Sequence, residues 1–291
     1  MATTVTGETR PLAAPARGGE LSAALNGIYT MWYRDVLRFS RDRSRILGSM
    51  AQPVLFLFVF GVGLSPAIGG LGRAAGSPSY VQFMFPGIIA MAVLFTAIFG
   101  SISVVWDREF GFLREVLVAP VPRWAMTVGK MLGGSTTAMV QGLLILIFAP
   151  LVGVPLTPLT FLELLPATFL TACALSAMGL VIAARMRSME GFQVVMNFLL
   201  MPMFFLSGAV FPLANLPGWM AVLTRIDPVS YGVDAIRQIV LQQAGVPPEV
   251  LGQLGINLFG YTTTVLTDLA FVGAFAAVMV ALAVRAFSVQ E

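Results

Sequence analysis

The chain has 291 residues, of which 57% are apolar and 11% charged, and this composition presents too much apolar surface for a soluble domain. Its solvent is therefore lipid, and the length leaves room for about six spans of roughly 20 residues each. The net charge of +3 is too small for a nucleic-acid binder, which carries dense basic patches. We predict an all-α membrane protein with no nucleic-acid partner.

The side chains used for metal and nucleophilic chemistry are nearly missing from the sequence. Histidine is absent and Cys173 is the only cysteine. These two facts exclude an intrachain disulfide, His/Cys zinc sites, histidine-ligated haem, Ser/His/Asp triads and histidine proton relays. We therefore expect neither a catalytic site nor a bound metal or cofactor in this chain.

The first 45 residues divide into a tail and a helix. Residues 1–20 contain arginines and prolines but no apolar core, which predicts a disordered cytoplasmic tail rather than a signal peptide. In residues 21–45 the apolar side chains recur at helical spacing, and the arginines fall largely elsewhere. Trp32 and Tyr33 suit the headgroup layer, so we predict an amphipathic interfacial helix. A solvated amphipathic helix packed on a partner is the alternative.

Six apolar stretches follow, and each is long enough to cross a bilayer. They are predicted at about 46–64, 82–106, 128–152, 161–184, 191–211 and 262–285. Residues 212–261 are too long for a turn and too apolar for free solvent, which predicts re-entrant extracellular helices that dip into the outer leaflet. We assign residues 46–288 to one transmembrane domain.

The basic residues predict the orientation, because cytoplasmic segments keep an excess of Lys and Arg. With the N-terminus inside, fourteen of the seventeen basic residues fall on the cytoplasmic side. The three on the opposite side are Arg73, Arg225 and Arg237. An even number of spans returns the chain to its starting side, so both termini are expected in the cytoplasm.

The cytoplasmic loop between the second and third stretches has two chemically different faces. On a helix, Phe110, Leu113 and Leu117 form one row while charged residues cluster opposite, and Pro120 then stops the helix. A short two-faced helix at about 107–119 could insert an apolar ridge into a groove of a partner protein. An ordinary amphipathic connector with no partner is the alternative.

Two sets of residues in and beyond this loop form recognisable motifs. The first consists of Glu109-Phe110-Gly111, Arg114-Glu115, Ala119-Pro120 and Gly129-Lys130. The second consists of Ser207-Gly208, Phe211-Pro212, Leu216-Pro217, Asp227-Pro228, Tyr231 and Asp234-Ala235-Ile236-Arg237. Together with the six-span layout, they resemble type-2 ABC exporter permeases, particularly the antibiotic-resistance branch typified by daunorubicin exporters. The resemblance covers about residues 20–288.

The resemblance implies an export permease of the prokaryotic cytoplasmic (inner) membrane. It also implies a second permease copy, in a homodimer or with a close relative, and two ABC nucleotide-binding ATPase subunits that bind ATP and Mg. The helix at 107–119 resembles the coupling helix that docks on the ATPase. Its candidate coupling residues are Arg108, Glu109, Phe110, Phe112, Leu113, Arg114, Glu115 and Leu117.

The chain cannot supply a phosphate loop of its own. Walker A requires G-x-x-x-x-G-K-[ST], since backbone amides and a lysine cradle the phosphates. Lys130 is the only lysine, Met131 follows it, and Trp124 occupies the place of the first glycine. The energy is therefore expected from a separate ATPase.

Side chains within the spans supply candidates for a substrate path, since polar groups there are costly and methionines pack adaptably. The candidates are Glu163, Gln193, Asn197, Met201 and Asp268. Each also has a structural alternative: snorkelling for Glu163, pairing of Asp268 with Arg237 or Arg225, interhelical hydrogen bonds for the amides and simple packing for the methionine.

The leading hypothesis is ATP-driven export of a hydrophobic or amphipathic small molecule, such as an antibiotic, a drug or a lipid. A polysaccharide or glycolipid exporter of the same architecture is the first alternative, although only five Tyr and four Trp are available to line a sugar path. An ion-driven secondary transporter is the second, for which two acids in the spans and no histidine make a thin relay. A membrane anchor without transport is the third.

Overall fold

The computed structural model describes residues 17–68, 77–109, 122–213, 216–258 and 261–288, and 85% of this structure is helical. Within these ranges, six helices are long and apolar enough to cross a membrane, which confirms the predicted number. They are span 1 (Ile46–Pro66), span 2 (Tyr80–Glu109), span 3 (Arg123–Val152), span 4 (Pro158–Arg185), span 5 (Met189–Leu206) and span 6 (Val265–Ser288).

Spans 1 and 3 contain internal changes of helix type, and span 2 contains a break. Span 1 runs through helix Arg43–Phe56, a π-helical turn at Leu57–Val62 and helix Gly63–Ile68. Span 2 consists of helices Tyr80–Gly100 and Ile102–Glu109, which are separated at Ser101. Span 3 consists of helix Arg123–Leu144, a 3-10 turn at Ile145–Phe148 and helix Ala149–Val152.

The remaining elements lie before span 1 and between spans 5 and 6. The N-terminal helix is Arg17–Arg41, so it begins and ends about four residues earlier than the predicted 21–45. The first, second and third loop helices are Gly218–Ile226, Pro228–Gln243 and Pro248–Leu254. A short antiparallel hairpin of Asn257–Leu258 and Tyr261–Thr262 follows them. The hairpin was not expected from the sequence, in which two-residue strands leave no pattern to read.

Local capping chemistry sets where three spans begin. Ser79 and Gln82 form a capping box before span 2, and Thr157 forms one with Thr160 before span 4. Ser188 accepts a hydrogen bond from the backbone N–H of Gly191 before span 5. These side chains satisfy amide groups that have no partner within the helix. Each span consequently starts two or three residues before the predicted apolar stretch.

Span 5 ends at Leu206, five residues before the predicted end at 211. Gly208 has a φ of 74°, a left-handed conformation that glycine adopts without steric cost and that breaks the helix. The sequence predicts a longer span because residues 207–211 are largely apolar, but the predicted end at 211 is wrong. This turn leads the chain back toward the loop helices.

The hydrophobic core is centred on spans 2 and 4, most of whose length is buried, whereas spans 1 and 6 are largely exposed. Span 4 packs against spans 2, 3 and 6, and the second loop helix packs against spans 2, 4 and 6. The second loop helix is therefore part of the core. The exposed faces of the outer spans suit contact with lipid chains.

The N-terminal helix lies along span 3 at a very short distance. A Cβ added at Gly129 would come within 2.8 Å of the Ile28 carbonyl oxygen, and one at Gly133 within 2.8 Å of the Asp35 Cβ. The indole N–H of Trp32 donates to the Thr136 hydroxyl at 3.0 Å. The small residues of span 3 thus hold this helix against the membrane domain, with Trp32 bonded inward to span 3.

Candidate coupling root and buried polar cluster

The end of span 2, where the predicted coupling helix begins, is bonded to two other spans. Arg108 Nη1 donates to the carbonyl oxygens of Ala184 at 2.8 Å and Met186 at 3.0 Å. Glu109 Oε2 accepts a hydrogen bond from the backbone N–H of Met189 at 3.0 Å. We call Arg108 and Glu109 with these three partners the coupling root.

The charges of the coupling root match the helix ends that they contact. Arg108 meets the last carbonyl groups of span 4, where a helix carries partial negative charge. Glu109 meets the first amide of span 5, where a helix carries partial positive charge. These contacts therefore link the end of span 2 to the junction of spans 4 and 5.

The other predicted coupling residues lie outside the described part of the chain. They are Phe110, Phe112, Leu113, Arg114, Glu115 and Leu117. Their role stays a prediction, and so does the helix at 107–119 beyond Glu109.

A second polar contact joins spans 2 and 3 beside the coupling root. Lys130 Nζ lies 3.0 Å from Asp107 Oδ2 and 3.0 Å from the Ser103 hydroxyl. Asp35 of the N-terminal helix is close by, and burial raises the pKa of its carboxyl group while Lys130 opposes the rise. Lys130 is thus a structural cation between two spans, a role that its position in the sequence motif did not reveal.

A buried polar cluster lies at the opposite end of the molecule, between the second loop helix and span 6. Arg237 is 1% exposed, and its guanidinium lies over the Phe83 ring at 4.4 Å from the centroid. It donates to the Gly208 carbonyl and forms an ion pair of 3.5 Å with Asp234. Burial lowers the pKa of Arg237 to about 10 and Asp234 opposes this, so the side chain stays charged at neutral pH.

Gln238 completes this cluster by bridging two carboxyl groups. Its Nε2 atom lies 2.9 Å from Asp234 Oδ2, 3.1 Å from Asp268 Oδ2 and 3.2 Å from the Thr263 carbonyl oxygen. The Thr263 hydroxyl donates to Asp234 Oδ2 at 3.2 Å. The bridge fastens the start of span 6 to the second loop helix.

The structure separates the five predicted path residues into three places. Asp268 is fully buried in the polar cluster. Glu163 is half-buried near the start of span 4. Gln193, Asn197 and Met201 lie on the exposed face of span 5, beside Phe198, which is 83% exposed. The five residues therefore do not form one site within a single copy of the chain.

Sequence reasoning missed Asp234 and Gln238 as partners of Asp268, although it considered Arg237. The available signal was their spacing on one helix, because residues three and four apart share a face. Asp234, Arg237 and Gln238 have this spacing. The sequence alone could not show that this face meets span 6.

The second loop helix also begins with a buried acid whose ionisation depends on the fold. Asp227 Oδ1 accepts a hydrogen bond from the Val229 amide at 3.0 Å and caps the helix. Burial raises the pKa of Asp227 from 3.8 to about 7, and the hydrogen bonds only partly oppose it. Between these two pH values, unfolding releases a proton from this group, so rising pH favours the unfolded state.

In the native protein, Asp227 makes the free energy of unfolding decrease as the pH rises from about 4 to about 7. We expect Asp227→Asn to remove this pH-dependent decrease. Asparagine is as good an N-cap as aspartate, so the cap itself persists. Thermal unfolding of the purified protein across this pH range measures the effect, and Glu249→Gln is the control because Glu249 is exposed on the third loop helix. An unchanged pH profile in Asp227→Asn would show that the buried carboxyl contributes nothing to it.

Taken together, these features define a multi-pass helical membrane protein whose spans are held together by polar contacts at both ends, of which the cluster around Arg237 is buried. Residues 26–241 match the family model described as ABC-2 type transporter, and the chain belongs to this family. The family supplies the membrane permease of ABC transporters, a transport subunit that works with an ABC ATPase. The predicted family resemblance is confirmed.

Three named relatives are similar in sequence to this chain over most of their length. Nodulation protein J of Rhizobium meliloti (strain 1021) is 30% identical over 231 residues, which cover 79% of this chain and 84% of the relative. Nodulation protein J of Rhizobium leguminosarum bv. viciae is 32% identical over 216 residues, or 73% and 82% of the two chains. The inner membrane transport permease YadH of Escherichia coli (strain K12) is 27% identical over 248 residues, or 84% and 90%.

Proposed function

We propose that this chain is the permease of an ABC exporter for an amphipathic molecule and that a separate ATPase drives it. The coupling root is the observation that carries this proposal. Arg108 and Glu109 bond the end of span 2 to the junction of spans 4 and 5. A push on the segment after Glu109 would therefore move three spans together, as rigid-body transport requires. ATP and Mg would bind on the partner ATPase.

The class of cargo is part of this proposal. The sequence motifs favour a drug, an antibiotic or a lipid. The relatives reported above are named for nodulation or as transport permeases, and these names specify no drug. A glycolipid or polysaccharide is the second candidate cargo, and the similarity to Nodulation protein J favours it.

The proposed orientation places both termini on the cytoplasmic side of a prokaryotic inner membrane. It is supported by the distribution of basic residues and by the relative YadH, which is named as an inner membrane permease. The N-terminal helix then lies at the inner face. The first loop helix exposes Trp219 and Ile226, at 68% and 71%, and this apolar face would enter the outer leaflet as a re-entrant element.

The exposed face of span 5 supports pairing with a second copy. Gln193 and Asn197 project from this face, and no described residue forms a hydrogen bond with either amide. An unsatisfied amide in hydrocarbon costs about 1–3 kcal/mol or more. Span 1 packs against span 5, since the Phe56 and Phe204 rings meet edge-on with centroids 5.9 Å apart. We propose a homodimer across spans 1 and 5, with two ATPase subunits and the transport path between the copies.

The test is transport into proteoliposomes that contain the permease with or without the ATPase that co-purifies with it. The probes are a fluorescent amphipathic dye and a fluorescent short-chain glycolipid. We expect ATP-dependent transport of one probe only when both subunits are present, and the transported probe identifies the cargo class. Transport that persists without the ATPase and stops when the proton gradient is dissipated would instead establish the ion-driven alternative.

The same vesicles test the span 5 face. The double change Gln193→Leu and Asn197→Leu removes both amides while keeping the helix apolar, so insertion is expected to be normal. Transport is expected to fall about tenfold or more, because the path or the dimer contact loses two hydrogen-bonding groups. Val194→Ala on the exposed surface of the same helix is the matched control.

A further inference from the structure

A cavity of about 220 Å³ lies behind the N-terminal helix, and it is distinct from the polar cluster and from the exposed face of span 5. Its walls come from the N-terminal helix and spans 1, 2 and 3. The residues that matter are Asp35, Arg38, Gln52, Phe95, Thr96 and Phe99. The cavity thus reaches from a charged helix at the membrane surface into the apolar part of the domain.

One wall of the cavity is aromatic, and two polar side chains without hydrogen bonds in the described chain also line the cavity. The rings of Phe95 and Phe99 stack with centroids 6.3 Å apart on one face of span 2. Within the described chain, the side chains of Gln52 and Thr96 form no hydrogen bond. By contrast, the hydroxyl groups of Ser49 and Thr137, which also line the cavity, are bonded to backbone carbonyls. Gln52 and Thr96 are therefore free to bind a polar group beside an apolar wall.

Two opposite charges of the N-terminal helix, Asp35 and Arg38, line the cavity, and Arg38 acts with Lys130 and Arg34 to lower the pKa of the Asp35 carboxyl group against the effect of burial. Asp35 and Arg38 are three residues apart on one helix, a rise of about 4.5 Å along its axis. They form no ion pair with each other, and Arg38 forms none with any residue of the described ranges. The only ion pair of Asp35 there is a long one of 3.7 Å to Arg34. Asp35 lies close to Gly133 of span 3, where an added Cβ would come within 3.0 Å of its Oδ2 atom.

We propose that this cavity binds a zwitterionic amphiphile of the phosphoethanolamine type, with the ammonium group at Asp35 and the phosphate at Arg38. The first part of the apolar chain lies along Phe95 and Phe99, and Gln52 and Thr96 bind the ester oxygens. The inference rests on the membrane-surface position of the N-terminal helix in the proposed function. Its ligand comes either from the surrounding bilayer or from the transported cargo.

The size of the cavity and the state of Asp35 support this ligand class. A drug-sized pocket measures roughly 300–1,000 Å³, so this cavity holds only the polar head and the first methylene groups of a larger molecule. Burial raises the pKa of Asp35 although Lys130, Arg34 and Arg38 oppose the rise, so the effect of burial outweighs that of the cations near this carboxyl group. A bound ammonium group would stabilise the charged form further by donating a charge-assisted hydrogen bond to it.

Native mass spectrometry of the full-length permease tests the proposal without the ATPase. Phosphatidylethanolamine, phosphatidylcholine and phosphatidylglycerol with identical acyl chains are the probes. We expect phosphatidylethanolamine to bind about tenfold more tightly than phosphatidylglycerol, which has no cation. Asp35→Asn is expected to abolish this preference, and Arg38→Gln to weaken the binding of all three lipids.

Two further variants distinguish specific binding in the cavity from non-specific binding of lipid to the protein surface. Gly48 lines the cavity, and a Cβ there meets nothing within 4 Å, so Gly48→Leu can place its first side-chain atom without a contact, extend into the cavity and keep both charges. It is expected to reduce phosphatidylethanolamine binding about tenfold, whereas Arg41→Gln, on the exposed surface of the same helix, leaves it unchanged. Equal binding of the three lipids, or binding insensitive to both Asp35→Asn and Gly48→Leu, overturns the proposal.

The source of the ligand is decided in proteoliposomes that contain the permease and its ATPase. ATP-driven movement of an acyl-labelled phosphatidylethanolamine across the bilayer identifies the bound molecule as cargo. Selective binding with no such movement identifies a resident lipid of the bilayer. Both results support the site, and failure of the mass-spectrometric binding leaves the proposed export function intact.

Discussion

Arg108→Ala is expected to lower ATP-coupled transport about tenfold or more while the permease still inserts and still binds its ATPase. The change removes two hydrogen bonds from a charged donor to the carbonyls of Ala184 and Met186. Such bonds contribute about 1.5–3 kcal/mol each. The end of span 2 then moves without carrying span 4, so ATP hydrolysis no longer drives the rearrangement of the spans.

The experiment measures transport, permease-stimulated ATP hydrolysis and ATPase co-purification on the same preparations. Glu109→Ala, which frees the Met189 amide, is expected to act in the same direction. Arg185→Ala is the control, since Arg185 is exposed at the end of span 4. If transport were normal in both Arg108→Ala and Glu109→Ala, the coupling root would have only a packing role.

Arg237→Ala is expected to destabilise the membrane domain by about 3–5 kcal/mol, the typical cost of leaving one charge of a buried pair without its partner. Asp234 is 1% exposed and would lose its ion pair, and the Gly208 and Leu254 carbonyls would lose a donor. The contact with the Phe83 ring would disappear as well. The second loop helix is the part expected to loosen first.

Thermal unfolding of the purified protein in detergent measures this loss of stability. The double variant Arg237→Met and Asp234→Leu removes both charges and keeps apolar volume, so it is expected to recover much of the stability. Recovery would identify the unpaired charge as the cause. If the double variant unfolded as early as Arg237→Ala, the hydrogen bonds of Arg237 to the backbone and of Asp234 to Gln238 and Thr263 would matter more than the charges.

The polar cluster and the coupling root show what the sequence can reveal about a polar contact: it identifies one member of the contact but not its partner. Asp268 was recognisable as a costly group in a span, and Arg108 as a charged residue of a motif. Their partners were not recognisable, because Gln238 precedes Asp268 by 30 residues and Ala184 follows Arg108 by 76. Only the packing of spans against one another brings such residues within hydrogen-bonding distance.

The sequence by itself determined the membrane character, the six spans, the absence of a Walker A loop and the family resemblance. Each of these depends on composition, on hydropathy summed along about 20 residues, or on short motifs, all of which are local properties. The tertiary structure decided the end of span 5, the burial of the second loop helix and the partners of Arg108, Lys130 and Asp268. Polar groups removed from water must find partners wherever the packed helices place them, and that placement is a property of the whole fold.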